Sequence, residues 1–573
     1  MVNFDEFEPV DRAAWESEAK RLLNGKPLSK LNWQYEPDLE LTPYYSKSDV
    51  SKGGTQGFGS RLSTSGFRLI ELLHLDGQTN RRSQNALNMG AEGVLIETED
   101  KLSDYSDLSA IWPEHCWFGM KSDVDGLSEI VSLFESRNAE KDSFKGFIGT
   151  PWLTSSGSQA GFKIDLDLLH RSTGYFSSFD HLRTVDVPLH LFQEQGASIT
   201  LELGVLLGLL KTVIENSTDK NIAIDLLSRK VQVSTAAGTD FYHEIAKIRA
   251  IRKLAYKLFR AYDIECSVED FSVIGRTSKV TESSLDSDTN YLRKTTQALS
   301  VVLGTADGLI VTPFEPDGYN QDARRIARNI GNLIKEESYG HWVQDPMAGS
   351  YFVESLTEKL CKAGWERFQK METAGGFLVY NADGRLASDI EADQNRILEE
   401  VSGRRKTLVG VNNYPNGIDK STVGNLSPGF RHSKNFEALR YQLHQSVKTG
   451  KLKQLPSVLP ITLGDNAAMI TGRLNFATNF LGCGGFQLLK EVKYPPNEEV
   501  STDVIVICGA DDDYADINES QIAEWHKKAQ VVILAGNPAN AESLQGIGVD
   551  VLIHVKSDVL EINSHILKML KAI

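Results

Sequence analysis

The sequence predicts two α/β segments in tandem: a parallel sheet of about eight strands interleaved with helices, then a smaller flavodoxin-like unit. Three observations carry this. Between residues 65 and 360, short apolar runs alternate with longer stretches of 3.6-residue periodicity. A second series of the same kind runs from 455 to 573. A polar stretch with turn signals at Asn416-Gly417 and Pro428-Gly429 separates them. Short buried strands alternating with helices imply βαβ units and a parallel sheet.

Taken in order, residues 1–60 form a polar N-terminal arm with one short helical pattern around Ala13–Leu23, closed by Gly53, Gly54, Gly57 and Gly59. It reads as a solvent-exposed extension. The barrel-type segment is placed at 61–400. Its strand candidates are Gly93–Glu97, Cys116–Met120, Phe144–Gly149, Arg183–Val187, Lys230–Ser234, Ser267–Ile274 and Leu309–Thr312. One further strand would make a (β/α)8 TIM barrel of ordinary size, although the periodicity alone fits an open doubly wound sheet equally well. Ile245, Ile248, Ile251, Leu254, Ala255, Leu258 and Tyr262 form one helical stripe. Residues 401–454 read as a linker. In 455–573, strands are expected at Ser457–Leu463, Val504–Cys508, Val531–Gly536 and Val551–Val555. Helices are expected around Asn518–Lys528, Pro538–Leu544 and Val559–Leu570.

The 573 residues are 41% hydrophobic and 24% charged, a globular composition that excludes fibrous and disordered classes. Asp and Glu outnumber Lys and Arg by 77 to 61, a net charge of −16 spread along the chain. That disfavours nucleic acid and anionic membrane surfaces as partners. Cys116, Cys266, Cys361, Cys483 and Cys508 are scattered without a CxxC pair, which fits a reducing, cytoplasmic setting and no zinc site. The first residues, Met1 to Glu6, are acidic and show no apolar leader core. The most apolar stretch, Ile199–Ile214, carries Glu202 and Lys211 and is shorter than the ~20 residues of a membrane span. It is expected as a buried helix.

Common catalytic motifs are missing: the sequence has no GxGxxG, GxxxxGK[ST], HExxH or GxSxG. His243-Glu244 reads as a partly exposed pair at a helix start, and Gly482-Cys483-Gly484-Gly485 as a turn.

Three segments are more specific. They are Arg325-Ile326-Ala327-Arg328-Asn329, continuing to Glu336-Glu337-Ser338; Asp345-Pro346-Met347-Ala348-Gly349-Ser350-Tyr351-Phe352-Val353-Glu354; and Arg405-Lys406-Thr407-Leu408-Val409-Gly410-Val411-Asn412-Asn413-Tyr414. With Gln193-Glu194-Gln195-Gly196-Ala197 and Glu244–Ala250, they resemble, in order, segments of the adenosylcobalamin-dependent acyl-CoA mutases, the methylmalonyl-CoA mutase family. The resemblance runs from about residue 30 to the end. It implies a (β/α)8 barrel threaded by a CoA ester, followed by a flavodoxin-type cobalamin domain.

The positions that carry the family's chemistry do not match. Active chains hold cobalt through a D-x-H-x-x-G loop, whose histidine is the lower axial ligand and whose aspartate orients it. The loop here is Gly464–Gly472, with Met469 at the histidine position and Ala467 at the aspartate position. A thioether offers no N–H to an orienting carboxylate, and Met469 is expected to be a packed apolar residue. Two further cobalamin contacts read Cys508-Gly509-Ala510 and Ala535-Gly536-Asn537, with the acidic run Asp511–Asp513 beside them. In the barrel, the family's Tyr-His pair is His190-Leu191, and a leucine cannot donate to a thioester carbonyl. No tyrosine lies between Tyr45 and Tyr105, where active chains place one facing substrate. The family's TQSLHTN loop reads Ala306–Thr312, with Asp307 and Ile310 in place of its glutamine and histidine.

The resemblance therefore implies the small, non-catalytic subunit of a heterodimeric methylmalonyl-CoA mutase. The homologous large subunit would bind adenosylcobalamin and carry the catalysis. No catalytic, cofactor-binding or metal residue is assigned to this chain, and its own binding of a CoA ester is in doubt. The alternatives are an active mutase with an altered cobalt site, and a stand-alone binding protein that uses the old CoA channel.

Overall fold

The apolar runs of the first segment pair into one closed parallel sheet. The computed structural model describes residues 10–50, 66–97, 116–122, 144–155, 161–175, 181–219, 227–315, 318–416, 429–495 and 501–573, with isolated positions between them. Tyr105 and most of the glycine-rich end of the arm lie outside these residues. The strands are, in chain order, β1 (Trp33–Glu36) and β2 (Leu39–Leu41), an antiparallel hairpin of the arm. Then come β3 (Arg68–His74), β4 (Gly93–Glu97), β5 (Trp117–Lys121) and β6 (Gly146–Gly149). A small hairpin follows, β7 (Leu153–Ser155) with β8 (Phe162–Ile164). The remaining barrel strands are β9 (Leu182–Arg183), β10 (Val185–Pro188), β11 (Val231–Ala237), β12 (Ser272–Thr277) and β13 (Gly308–Ile310).

The sheet runs β10-β11-β12-β13-β3-β4-β5-β6-β9, every neighbour parallel. β9 and β10 flank the single residue Thr184, one pairing with β6 and the other with β11. Counted as one strand, they close a circuit of eight, which is a (β/α)8 barrel and decides against an open sheet. The eighth strand is β3. Arg68 and Glu71 interrupt its apolar run, and Glu71 is paired with Arg328 at 3.0 Å. The strand expected from Ser267 starts later, because Ser267 and Asp270 form a capping box around the turn Val268–Asp270.

Outward-facing Leu69, Val185, Val187, Val231, Val233, Val273 and Leu309 join one core with the helices Ile199–Asp219, Phe241–Ala261 and Tyr351–Thr373. The Ile199–Asp219 helix is buried on almost every side, as an all-round apolar helix must be. Among the described residues, no helix is long and apolar enough to cross a membrane.

The arm is not simply solvated. Glu36 accepts the Ile199 and Thr200 N–H groups at 2.9 and 3.1 Å, capping that helix with a carboxylate. Tyr35 donates to Asp240 at 2.7 Å, and Leu39 and Leu41 are buried.

The second compact unit comprises residues 279–293, 314–321 and 392–573. Its strands are β14 (Ser457–Thr462), β15 (Gln487–Leu488), β16 (Val492–Lys493), β17 (Val504–Cys508), β18 (Val531–Ala535) and β19 (Val551–Ile553). β15 and β16 both pair with β14, so the order is that of a flavodoxin-like sheet, 2-1-3-4-5. Part of the stretch expected as a linker belongs to this unit's core. The helix Lys434–Lys448 buries Phe436, Leu439 and Leu443 there, and Arg440 donates to the carbonyls of Gly482 and Cys483 at 3.0 and 3.1 Å. Those bonds satisfy the open end of the helix Ala467–Cys483, so Gly482–Gly485 is a helix terminus and its turn.

Candidate functional site

In a (β/α)8 barrel the two mouths and the bore are where a ligand can sit. Here Ile70, Leu95, Trp117, Phe147, Ile274 and Ile310, from six different strands, form a single apolar cluster separate from the outer core. Side chains from strands all round a closed barrel touch one another only inside it, so this cluster fills the bore. Glycines on neighbouring strands give these large groups room. A Cβ on Gly119 would lie 2.6 Å from the Trp117 ring and 2.7 Å from Leu95. One on Gly308 would lie 2.6 Å from Ile70, and one on Gly149 would lie 2.5 Å from Phe147. An eight-stranded barrel is just wide enough for side chains to fill, and this one is filled with a layer of alternating large and small residues.

Above the plug, at the carboxyl ends of the strands, charged groups are paired with each other. Lys121 lies 2.8 Å from Asp186 and 3.3 Å from Glu97, and Arg276 lies 3.2 Å from Glu97. Ser234 donates to Asp186 at 2.6 Å. Burial opposes ionisation of Glu97, but Arg276 and Lys121 hold it well below the usual carboxylate range. His190 is buried beside them. Its Nδ1 lies 3.3 Å from the Ser234 carbonyl, which can only accept, so Nδ1 carries the proton. Burial, then Arg276 and Lys121, push its pKa well below that of a free imidazole. His190 is thus a neutral group in a closed ionic network. Leu191 packs, half-buried, on the outer core. Ile310 is part of the plug, and Asp307 accepts from Arg252 and from the Val273 N–H at 2.8 Å each.

At the opposite mouth lies a cavity of about 330 Å³ lined by Arg68, Lys145, Arg183 and Arg229, with Glu269 and Asp270. Arg183 is held by the carbonyls of Ser228 and Val231 at 3.3 Å and by that of Asp270. The cavity's inner wall includes Trp117, the lowest member of the plug.

In the second unit, a flavodoxin-like sheet binds ligands at the carboxyl edge of its first and third strands, β14 and β17 here. That edge is closed by the chain itself. Arg473 pairs with Asp511 at 2.6 Å and donates to the Ala535 carbonyl. Its guanidinium lies so close to Gly536 that no Cβ would fit there. Tyr514 accepts the Gly509 N–H and donates to the same Ala535 carbonyl, both at 2.8 Å. Asp513 accepts the Ala510 N–H at 2.7 Å and approaches Gly464. Met469, expected to be packed, is instead 42% exposed on the first turn of the Ala467–Cys483 helix, which Asn466 caps through the Met469 N–H at 3.2 Å.

The segments quoted from the sequence are structural clamps. Arg249 is fully buried between Asp345, at 2.5 and 2.6 Å, and Glu354, at 2.8 Å. Asn412 ties Leu408, Val401 and Lys406 through three hydrogen bonds of 2.7–2.8 Å. Gln193 donates to Ser278 at 2.7 Å. The His243-Glu244 pair is buried, against expectation: His243 stacks on Tyr35 at 3.6 Å, while Glu244 pairs with Lys247 and accepts the Gly238 N–H, both at 2.7 Å. The plug and Arg473 are the residues that motif reading missed. The plug was visible only as alternate positions within each strand. Arg473 carried no local signal.

The family model described as methylmalonyl-CoA mutase matches residues 130–469. The methylmalonyl-CoA mutase small subunit of Porphyromonas gingivalis is 26% identical over 97% of this chain and 97% of its own length. A probable methylmalonyl-CoA mutase small subunit of Mycobacterium bovis is 32% identical, over 68% of this chain and 65% of its own. A methylmalonyl-CoA mutase of Cereibacter sphaeroides is 23% identical over 70% of this chain and 64% of its own.

Proposed function

The chain belongs to the methylmalonyl-CoA mutase family, and from that premise we propose that it is the non-catalytic small subunit of a cytoplasmic, heterodimeric methylmalonyl-CoA mutase. That enzyme interconverts (R)-methylmalonyl-CoA and succinyl-CoA, a step in propionate metabolism. Its adenosylcobalamin and CoA ester sit on a larger homologous chain, and this subunit supports that chain.

The filled bore carries this reading. A linear CoA ester needs an open passage along the barrel axis, and Phe147, Leu95, Ile274 and Ile310 form a buried apolar cluster inside the barrel. Removing the plug would leave a cavity rather than a lined channel, because its walls are glycines and aliphatic groups. The charged groups above it, Lys121, Arg276, Glu97 and Asp186, are ion-paired with each other rather than held open toward a thioester.

The cofactor's fit is also poor. The loop that would bring an imidazole to cobalt offers the exposed thioether of Met469. Arg473 and Tyr514 fill the edge where a nucleotide tail would enter, and Asp511 adds negative charge beside it. An active mutase with an altered cobalt site would have to displace both. Titrating the purified chain with adenosylcobalamin is expected to leave the cofactor spectrum unchanged. Stoichiometric binding with a base-off spectrum would overturn the reading.

A further inference from the structure

We infer that the hairpin of β1 and β2 is a proton-linked latch: it docks on the barrel unit by taking up one proton, which Glu202 holds. The latch is a property of this chain alone and stands whichever reading of its function holds. Both strands are fastened. Leu39 and Leu41 of β2 are buried in the outer core of the barrel unit. From β1, Glu36 accepts the Ile199 and Thr200 N–H groups at 2.9 and 3.1 Å. Tyr35 donates to Asp240 at 2.7 Å, and its ring stacks on His243. These contacts bring a buried carboxylate to the first turns of two helices, Ile199–Asp219 and Phe241–Ala261.

Those first turns are already acidic. Glu202 and Glu244, one on each helix, are both buried. Lys247 stands between them, fully buried, and donates to the Ala236 carbonyl at 2.6 Å. Seating Glu36 therefore sets three buried carboxylates in one cluster with a single ammonium. The other charges on the packed elements have partners elsewhere: Glu354 pairs with Arg249 at 2.8 Å, Lys211 with Glu215 and Glu372 at 2.9 and 3.1 Å, and Glu194 faces Arg276. In a dry site an uncompensated carboxylate takes up a proton rather than stay charged. Glu36 is held as an anion by two N–H donors at a helix terminus, and Glu244 by Lys247 and the Gly238 N–H, both at 2.7 Å. Glu202 has the longer contact with Lys247, at 3.4 Å, so the proton falls to it. Burial, only partly offset by Lys247 and reinforced by Glu244 and Glu36, raises its pKa to about 8. With the hairpin undocked, Glu36 leaves and water reaches the turn, so Glu202 titrates nearer the ordinary 4.5. Between those two values the docked form binds more protons than the undocked form. Docking therefore weakens as pH rises toward 8, by up to ~tenfold per pH unit.

The test is amide exchange on the full-length chain, wild type and Glu202→Gln, with protection corrected for the intrinsic rate at each pH. Glu202→Gln keeps the shape of the protonated carboxyl and needs no proton. In the wild type, protection of residues 33–41 and of the Ile199 and Thr200 amides should fall at least ~tenfold between about pH 6.5 and 8.5. In Glu202→Gln it should stay level, leaving the variant better protected than the wild type at the higher pH. The β12 amides are the internal control and should not change in either protein. A wild-type hairpin whose protection is the same at both pH values would overturn the inference. So would an equal fall in the variant, which would assign the proton to another group, or an equal fall in β12, which would mean the whole unit loosens. A second measurement needs no variant. The infrared band of a buried, protonated carboxyl should be present at about pH 6.5 and fade in step with hairpin protection. Its absence at that pH would overturn the assignment even if Glu202→Gln failed to fold.

Discussion

The barrel and the flavodoxin-like unit both close the place where their folds bind ligands, but with different materials. The bore is packed with apolar side chains set among glycines, none of them more than 7% exposed. The edge of the second sheet is closed by an arginine, a tyrosine and a carboxylate that satisfy one another, with Asp511 about half exposed. Apolar filling adds to the core and resists reversal. Polar filling at a solvated edge adds little and leaves the sheet intact. The two units thus close these places in two ways, one through core packing and the other through polar contacts at a solvated edge.

The largest expected effect follows from that difference. Phe147→Ala should destabilise the barrel by about 3–5 kcal/mol, because it removes buried area and leaves a cavity among groups that cannot collapse. Denaturant unfolding measures it. A loss below about 1 kcal/mol would mean the bore is not tightly packed.

A second test concerns charge inside the barrel unit. His190 stays neutral in the fold, facing Arg276, Lys121 and Glu97, with its pKa pushed well below 6.5. In the unfolded chain it gains a proton near pH 6.5, so its contribution to stability falls as pH drops below that value, by up to about 1.4 kcal/mol per unit. Glu202 acts in the opposite sense. Burial, only partly offset by Lys247, raises its pKa to about 8, so it favours the fold at low pH and the benefit is lost as pH rises from about 4.5 to 8. Between pH 5 and 6.5 the two slopes oppose each other. Glu202→Gln should make stability fall on acidification, and His190→Gln should make it rise. Identical pH profiles for the two variants would refute these assignments.

The smallest effect belongs to the second unit. Arg473→Ala removes one donor to Ala535, which Tyr514 still serves, and should cost about 1 kcal/mol. A cost as large as that of Phe147→Ala would erase the contrast between the two fillings.

The strands were legible because buried parallel strands are near-continuous apolar runs, and β4 and β17 fall on the residues expected. β3 was not, because Arg68 and Glu71 break its run and the partner of Glu71, Arg328, lies far along the chain. The departures at Leu191 and Met469 could be read from the resemblance to the family's motifs, but the packing around those positions could not. That depends on which alternate residues of six strands meet in one bore, and on Arg473 reaching Ala535 from a residue 62 positions away. The packing of Met469 was misjudged for a related reason: an apolar residue on a first helical turn reads the same whether or not a neighbour covers it.

The central claim is that chemistry resides on the partner and structure on this chain. It is tested most directly by reconstituting the pair from separately purified subunits and counting cobalamin per heterodimer while following conversion of methylmalonyl-CoA to succinyl-CoA. The account predicts one cofactor per heterodimer, held by the larger chain, and no turnover from this chain alone. Two cofactors per pair, or turnover by this chain without its partner, would contradict it.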